Sequence, residues 1–103
     1  MSNTRDIQVV IDADGAFEAV NPAFTTLLGW SAAEAVGRTV FDFIVPDDAA
    51  TSTALQTARS GPLPTFENRY RCKDGSLRWI SWVAAPEGDL IYASGRDVTE
   101  QKS

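Results

Sequence analysis

The sequence contains no histidine, and so lacks the commonest neutral-pH general base and metal ligand. Ser/His/Asp and Cys/His nucleophilic sets are excluded on that ground. One cysteine, Cys72, is present. It allows no intramolecular disulfide and fits a reducing compartment, so a cytoplasmic location is expected. No apolar run approaches the ~18 residues needed to span a bilayer. The opening residues MSNTRD lack the apolar segment of a signal peptide. Basic residues are outnumbered, 9 Lys+Arg against 14 Asp+Glu, giving a net charge of -5. That balance favours solubility and argues against a nucleic-acid surface. A glycine-rich phosphate loop is also missing: Gly15, Gly29 and Gly37 stand at turns and helix ends. The paired carboxylates Asp12/Asp14 and Asp47/Asp48 fall at a turn and a helix start. The local sequence offers too few further oxygens for a cation there, so no metal site is expected. No enzyme chemistry is expected from this inventory.

The 103 residues, 44% of them hydrophobic, form one domain able to bury roughly 60–70% of its unfolded surface. Ile7–Ile11 reads as a short strand. Asp12-Ala13-Asp14-Gly15 turns it, and Phe17–Val20 is its hairpin partner. Asn21 caps a helix with Pro22 at its first position, and Gly29 ends it. Ser31-Ala32-Ala33-Glu34 is a capping box that starts a second short helix, stopped by Gly37. Val40–Ile44 is an apolar turn or irregular segment. Pro46-Asp47-Asp48 caps a third helix over about 49–59, which Ser60-Gly61-Pro62 ends.

From Thr65 the period becomes two. Phe66, Asn68, Tyr70 and Cys72 share one face, with Glu67, Arg69, Arg71 and Lys73 on the other. Asp74-Gly75 is a hairpin turn between this strand and Leu77–Ala85. Glu87-Gly88-Asp89 leads into a last strand, Leu90–Gly95. The fold class is therefore α+β: a five-stranded antiparallel sheet in the order β-β-α-α-α-β-β-β, with the helices inserted between strands 2 and 3 and packed on one face.

The fourth strand carries a tryptophan on each face: Leu77, Trp79 and Val83 on one, Ile80, Trp82 and Ala84 on the other. A sheet with one wet face alternates more cleanly. A second covering layer is expected, from a flanking helix or another subunit. The residues before Ile7 are too few and too polar for such a helix. A homodimer across the sheet is expected, with Ile80 and Trp82 as its contacts, or Leu77, Trp79 and Val83 if the parity is reversed.

The final strand runs into Arg96-Asp97-Val98-Thr99-Glu100-Gln101-Lys102-Ser103. Asp97 with Glu100 three residues on is a capping-box variant. A helix is expected to start at Asp97 and to be cut short. The expected division is a tail at 1–6, a core at 7–96 and the start of a C-terminal helix at 97–103, as in a domain excised from a longer protein.

Several stretches together resemble the PAS domains of bacterial sensor proteins: DADGAFEAVNPAFTTLLGW, SAAEAVGR, the PDD helix start, RYRCKDGSLRWISW and GRDVTEQ. The resemblance covers residues 7 to 101. It implies a sensory or regulatory module of a signal-transduction protein, such as a two-component system, with a small pocket between sheet and helices. It implies that ligand or dimer state is relayed to an output domain through the C-terminal helix. That output domain would be a histidine kinase, a diguanylate cyclase or a regulator. Asp97, Val98 and Thr99 match the hinge into that helix; Arg96 is a further relay candidate, and Arg96 or Arg78 is expected to pair with Asp97 by charge and proximity. Where many relatives carry a histidine before P-D-D, this chain has Val45.

The family's cofactors are tested residue by residue. Haem held through histidine is excluded. The cysteine motif of the photoactive flavin subclass is missing, and Cys72 reads as a small buried hydrophobe. Two pocket states remain: no tight cofactor, or a flavin or small metabolite acting as a redox or light signal. For the latter the candidate binding residues are Asn21, Trp30, Asn68, Trp79 and Ser94. Each has a plainer role as helix cap, core residue or strand filler.

Overall fold

The computed structural model describes residues 6–44 and 65–102, with the side chain of Lys102 excepted. The first five residues of the expected tail, Val45, the PDD cap and the helix at 49–59 lie outside the described residues. Within them the order is β1 (Ile7–Asp12), β2 (Phe17–Val20), α1 (Pro22–Leu28), α2 (Ala32–Ala35), a 3-10 turn (Val40–Asp42), β3 (Phe66–Arg71), β4 (Leu77–Glu87), β5 (Leu90–Asp97) and α3 (Thr99–Lys102). The five strands form one antiparallel sheet ordered β2-β1-β5-β4-β3.

Local chemistry sets the boundaries. In the β1–β2 turn, Asp12 Oδ1 accepts from the amides of Asp14 and Ala16, and Gly15 takes a φ of 89° that side chains resist. The β1–β2 pairing skips Glu18, a bulge that bends the edge. Asn21 Oδ1 caps α1 by accepting from the Phe24 amide and also accepts from the Gln8 amide. Its Nδ2 donates to the Asp6 carbonyl, so one side chain fixes α1 to β1. Pro22 occupies the first turn and Gly29 closes the helix. Ser31 and Glu34 make both bonds of the capping box on α2.

The core lies between the inner sheet face and the helical elements. Ile7, Val9 and Ile11 of β1, and Ile80 and Trp82 of β4, supply the sheet side. Phe17, Phe24 and Trp30 pack around Phe43 at ring-centroid distances of 5.7, 6.3 and 5.3 Å. Such tilted and edge-on contacts add to burial of the rings. The β3–β4 turn is tied to the helices. The Lys73 amide donates to the Leu28 carbonyl, Trp30 Nε1 donates to the Arg71 carbonyl, and Lys73 pairs with Glu34. Cys72 is buried in this region, as expected of a small apolar residue.

Gly95 of β5 is required by packing. A Cβ there would lie 2.7 Å from Ile80 Cγ2 and 2.7 Å from Trp82 Cζ3. The two largest inner side chains of β4 therefore lean over bare backbone.

The burial of β4 corrects one expectation. Ile80 is 0% and Trp82 3% exposed, so both belong to the core and are closed to a second subunit. Leu77 at 46% and Val83 at 50% exposure face outward. Alternation separated the two sets, but only the position of the helices decides which set is inside.

Candidate functional site

The β5–α3 joint gathers the polar side chains of β4 and β5. Asp97 is the last residue of β5, and α3 begins two residues later. The expected helix start at Asp97 therefore shifts to Thr99, because residue 97 still pairs with Ile80. Asp97 Oδ1 accepts from the Thr99 amide at 3.0 Å and the Thr99 hydroxyl at 2.6 Å. Asp97 Oδ2 accepts from Arg78 Nη1 at 2.8 Å. Thr99 Oγ1 in turn accepts from the Trp79 amide, and the Val98 amide donates to the Trp79 carbonyl. One carboxylate and one hydroxyl thus connect β4, β5 and the first turn of α3.

Partial burial pushes the Asp97 carboxyl upward. The Thr99 hydroxyl and amide, with Arg78, outweigh that push and hold it below its ordinary value. It is therefore ionised at neutral pH, the form that accepts these bonds. Beside it a cleft of about 800 Å³ separates α1 from α3, with Arg78, Arg96, Asp97 and Glu100 on its walls. Both charge signs meet there, so the cleft leaves space beside α3 without selecting a ligand sign.

On the inner sheet face, Asn68 is a buried polar residue in an otherwise apolar surface. Its Oδ1 accepts from Trp82 Nε1 at 2.8 Å. Tyr70 packs on Trp82 at 5.6 Å, and burial pushes its phenol well above the usual range. These three form a polar spot facing the helical side.

The five candidate cofactor residues do not converge. Asn68 lies inside. Asn21 is consumed as the cap of α1. Trp30 packs on Phe43 and bonds the β3 end. Trp79 lies half-buried on the outer face under Arg69, 5.3 Å from its ring centroid. Ser94 pairs with Val83 on the same outer face. Among the relay candidates, Asp97, Val98 and Thr99 meet at the joint, whereas Arg96 is exposed opposite Ser81. Arg78, and not Arg96, is the ion-pair partner of Asp97. Tyr92 was missed: it is 48% exposed in an outer-face groove of about 570 Å³ with Val10, Ala19, Val83 and Ala85. Its period-two spacing from Ser94 was the available signal.

Among the described residues no group of His, Cys, Asp or Glu is placed to hold a metal ion. No helix among them is long and apolar enough to cross a membrane.

Comparison with known proteins follows this geometry. No curated protein matches. Among solved structures, the PAS domain of an HTR-like protein from Haloarcula marismortui is 30% identical, with a TM-score of 0.78 over 92% of this chain and 88% of that one. A domain of a sensory box sensor histidine kinase/response regulator from Geobacter sulfurreducens is 21% identical, with a TM-score of 0.81 over 93% and 86%. The PAS domain of the Cronobacter turicensis RpfR quorum-sensing receptor, solved with BDSF, is 22% identical, with a TM-score of 0.81 over 96% and 99%. The last two likenesses concern the fold alone. The family model described as PAS fold matches residues 1–103, and with the five-stranded sheet and its helical face, this chain belongs to the PAS family.

Proposed function

We propose that this sensory PAS module transmits the state of its core, or of its subunit packing, to an output domain through α3, and catalyses nothing itself. The observation that carries this reading is the shared carboxylate of Asp97, bonded to Arg78 on β4 and to Thr99 on α3. A shift of β4 relative to β5 changes the geometry of that carboxylate, and the first turn of α3 is re-aimed with it. The output domain would be a histidine kinase, a diguanylate cyclase or a regulator, within a cytoplasmic pathway. A homodimer through the outer sheet face supplies the covering layer for Tyr92 and Val83. The test is a chimera with a histidine kinase catalytic region fused after Ser103. Asp97→Ala should change basal autophosphorylation while the isolated domain stays folded. An unchanged output from the chimera contradicts the relay.

A second reading concerns occupancy. Asn68 and Trp82 place a hydrogen-bonding pair on the inner face, where a small metabolite or a flavin would meet a polar anchor. The RpfR domain with BDSF has this fold. An absorption spectrum of the purified protein, with mass spectrometry of anything released on unfolding, decides it. Bands near roughly 370 and 450 nm identify a flavin. A colourless protein releasing a small molecule identifies a metabolite, and one releasing nothing contradicts tight occupancy.

A further inference from the structure

Toward the β3–β4 turn the outer face ends in two rows that reverse the sign of the chain. Strand register sets Arg69 beside Trp79 and, nearer the turn, Arg71 beside Leu77. The protein carries a net charge of -5, yet these two arginines follow each other on one face of one strand. Arg71 and Leu77 are exposed, and Trp79 is half-buried.

The Arg69 guanidinium lies 5.3 Å from the Trp79 ring centroid, a contact that holds the cation against the sheet. Among the described residues it joins no ion pair, and its Nε is closed to water and has no acceptor. A buried donor without an acceptor costs free energy. The guanidinium is thus set in place for an oxygen that the described residues do not supply. Arg71 commits Nη2 to the Asp42 carbonyl, which leaves the rest of its fork for a second acceptor. Two carboxylates border the rows. Glu67, two residues before Arg69 on the same face, shares its row with Ser81 and Arg96 and is already engaged. Asp74, in the turn, accepts from the amide and hydroxyl of Ser76.

The chemistry that fits two guanidinium groups is a pair of carboxylates, each taken through parallel N–H donors. Arg69 and Arg71 are two residues apart on a strand, about 7 Å. Carboxylates two residues apart in an extended chain have the same spacing. A single small anion on this flat surface would meet only one of the two cations.

We propose that the β3–β4 end of the outer face docks an extended acidic segment of a partner protein, with one carboxylate on Arg69 and the next on Arg71. The inference concerns rows apart from the Tyr92 groove and stands whether or not the chain dimerises.

Titration of the nitrogen-15-labelled protein with capped hexaglutamate at low salt tests it, followed by magnetic resonance at the Arg69 Nε–H and Trp79 indole signals. The wild type should show shifts that saturate by about 5 mM peptide. Arg69→Gln and Arg71→Gln should each weaken binding by about fivefold or more, with the dispersed spectrum of each variant showing that it is folded. Glu87→Gln, at the opposite end of β4, should bind as the wild type does. Wild-type shifts that are absent, binding unchanged in both arginine variants, or equal binding of capped hexaglutamine would each overturn the proposal. Equal shifts from sodium acetate at the same carboxylate concentration would overturn it too, by making the spot a general anion site.

Discussion

Arg78 and Asp97 meet at 2.8 Å across the pairing of β4 with β5, and the same carboxylate holds the amide and hydroxyl of Thr99. A partly exposed ion pair alone contributes little stability. Its importance lies in geometry: the last residue of the sheet and the first residue of α3 share one acceptor group.

Asp97→Ala removes that acceptor. The cost to unfolding free energy should be about 1 kcal/mol, the usual size for loss of a capping side chain. Urea denaturation checks it. A cost several times larger would mean that Asp97 supports the fold as a whole.

Acid should act through the same group. The folded Asp97 carboxyl sits below its ordinary value of 3.8. In that window the unfolded chain binds more protons, so stability is present above the ordinary value and lost as pH falls through the folded one. Glu34, lowered chiefly by the Lys73 hydrogen bond, and Asp74, lowered chiefly by the Ser76 hydroxyl, act in the same sense. Stability measured from pH 7 down to about pH 3 should therefore fall below about pH 4. Asp97→Asn should make that fall shallower, and an identical profile would contradict the assignment.

Gly95→Ala should destabilise by about 1–3 kcal/mol through overpacking, because the new methyl meets Ile80 and Trp82 at 2.7 Å. Thermal unfolding measures this. A neutral result would mean that β5 and β4 separate freely at that point.

Trp82→Phe and Trp79→Phe should differ. The first loses the buried bond to Asn68 Oδ1 and leaves unfilled core volume, costing about 2 kcal/mol or more. The second changes a half-buried ring stacked under Arg69 and should cost about 1 kcal/mol or less. Equal costs in denaturant titration would contradict the assignment of inner and outer faces.

The parts of the fold legible in sequence are those governed by neighbours along the chain. Asn21-Pro22, Ser31 with Glu34, and the turn at Gly15 each carry their own capping or backbone chemistry, and the structure has all three. The alternation of β3 likewise separated Asn68 and Tyr70 from Glu67 and Arg69. What alternation leaves open is which face the helices cover, since β4 bears a tryptophan on each. Alternation alone therefore leaves Ile80 and Trp82, or Leu77, Trp79 and Val83, open as outer contacts, and packing against Phe66, Gly95 and the helices places Ile80 and Trp82 inside. The joint was legible as a helix start, but its position depends on how far β5 continues to pair with β4. The bond from the Trp79 amide to Thr99 and the choice of Arg78 over Arg96 follow from register across strands. No local motif encodes that register.

Amide hydrogen exchange at Thr99, Glu100 and Gln101, compared between wild type and Asp97→Ala, tests the relay joint most directly. If Asp97 couples the sheet to α3, exchange at these amides should rise by about tenfold, while Ile80 and Ile91 in the sheet keep their protection. Unchanged exchange at Thr99, or an equal rise at Ile80 and Ile91, would contradict the account.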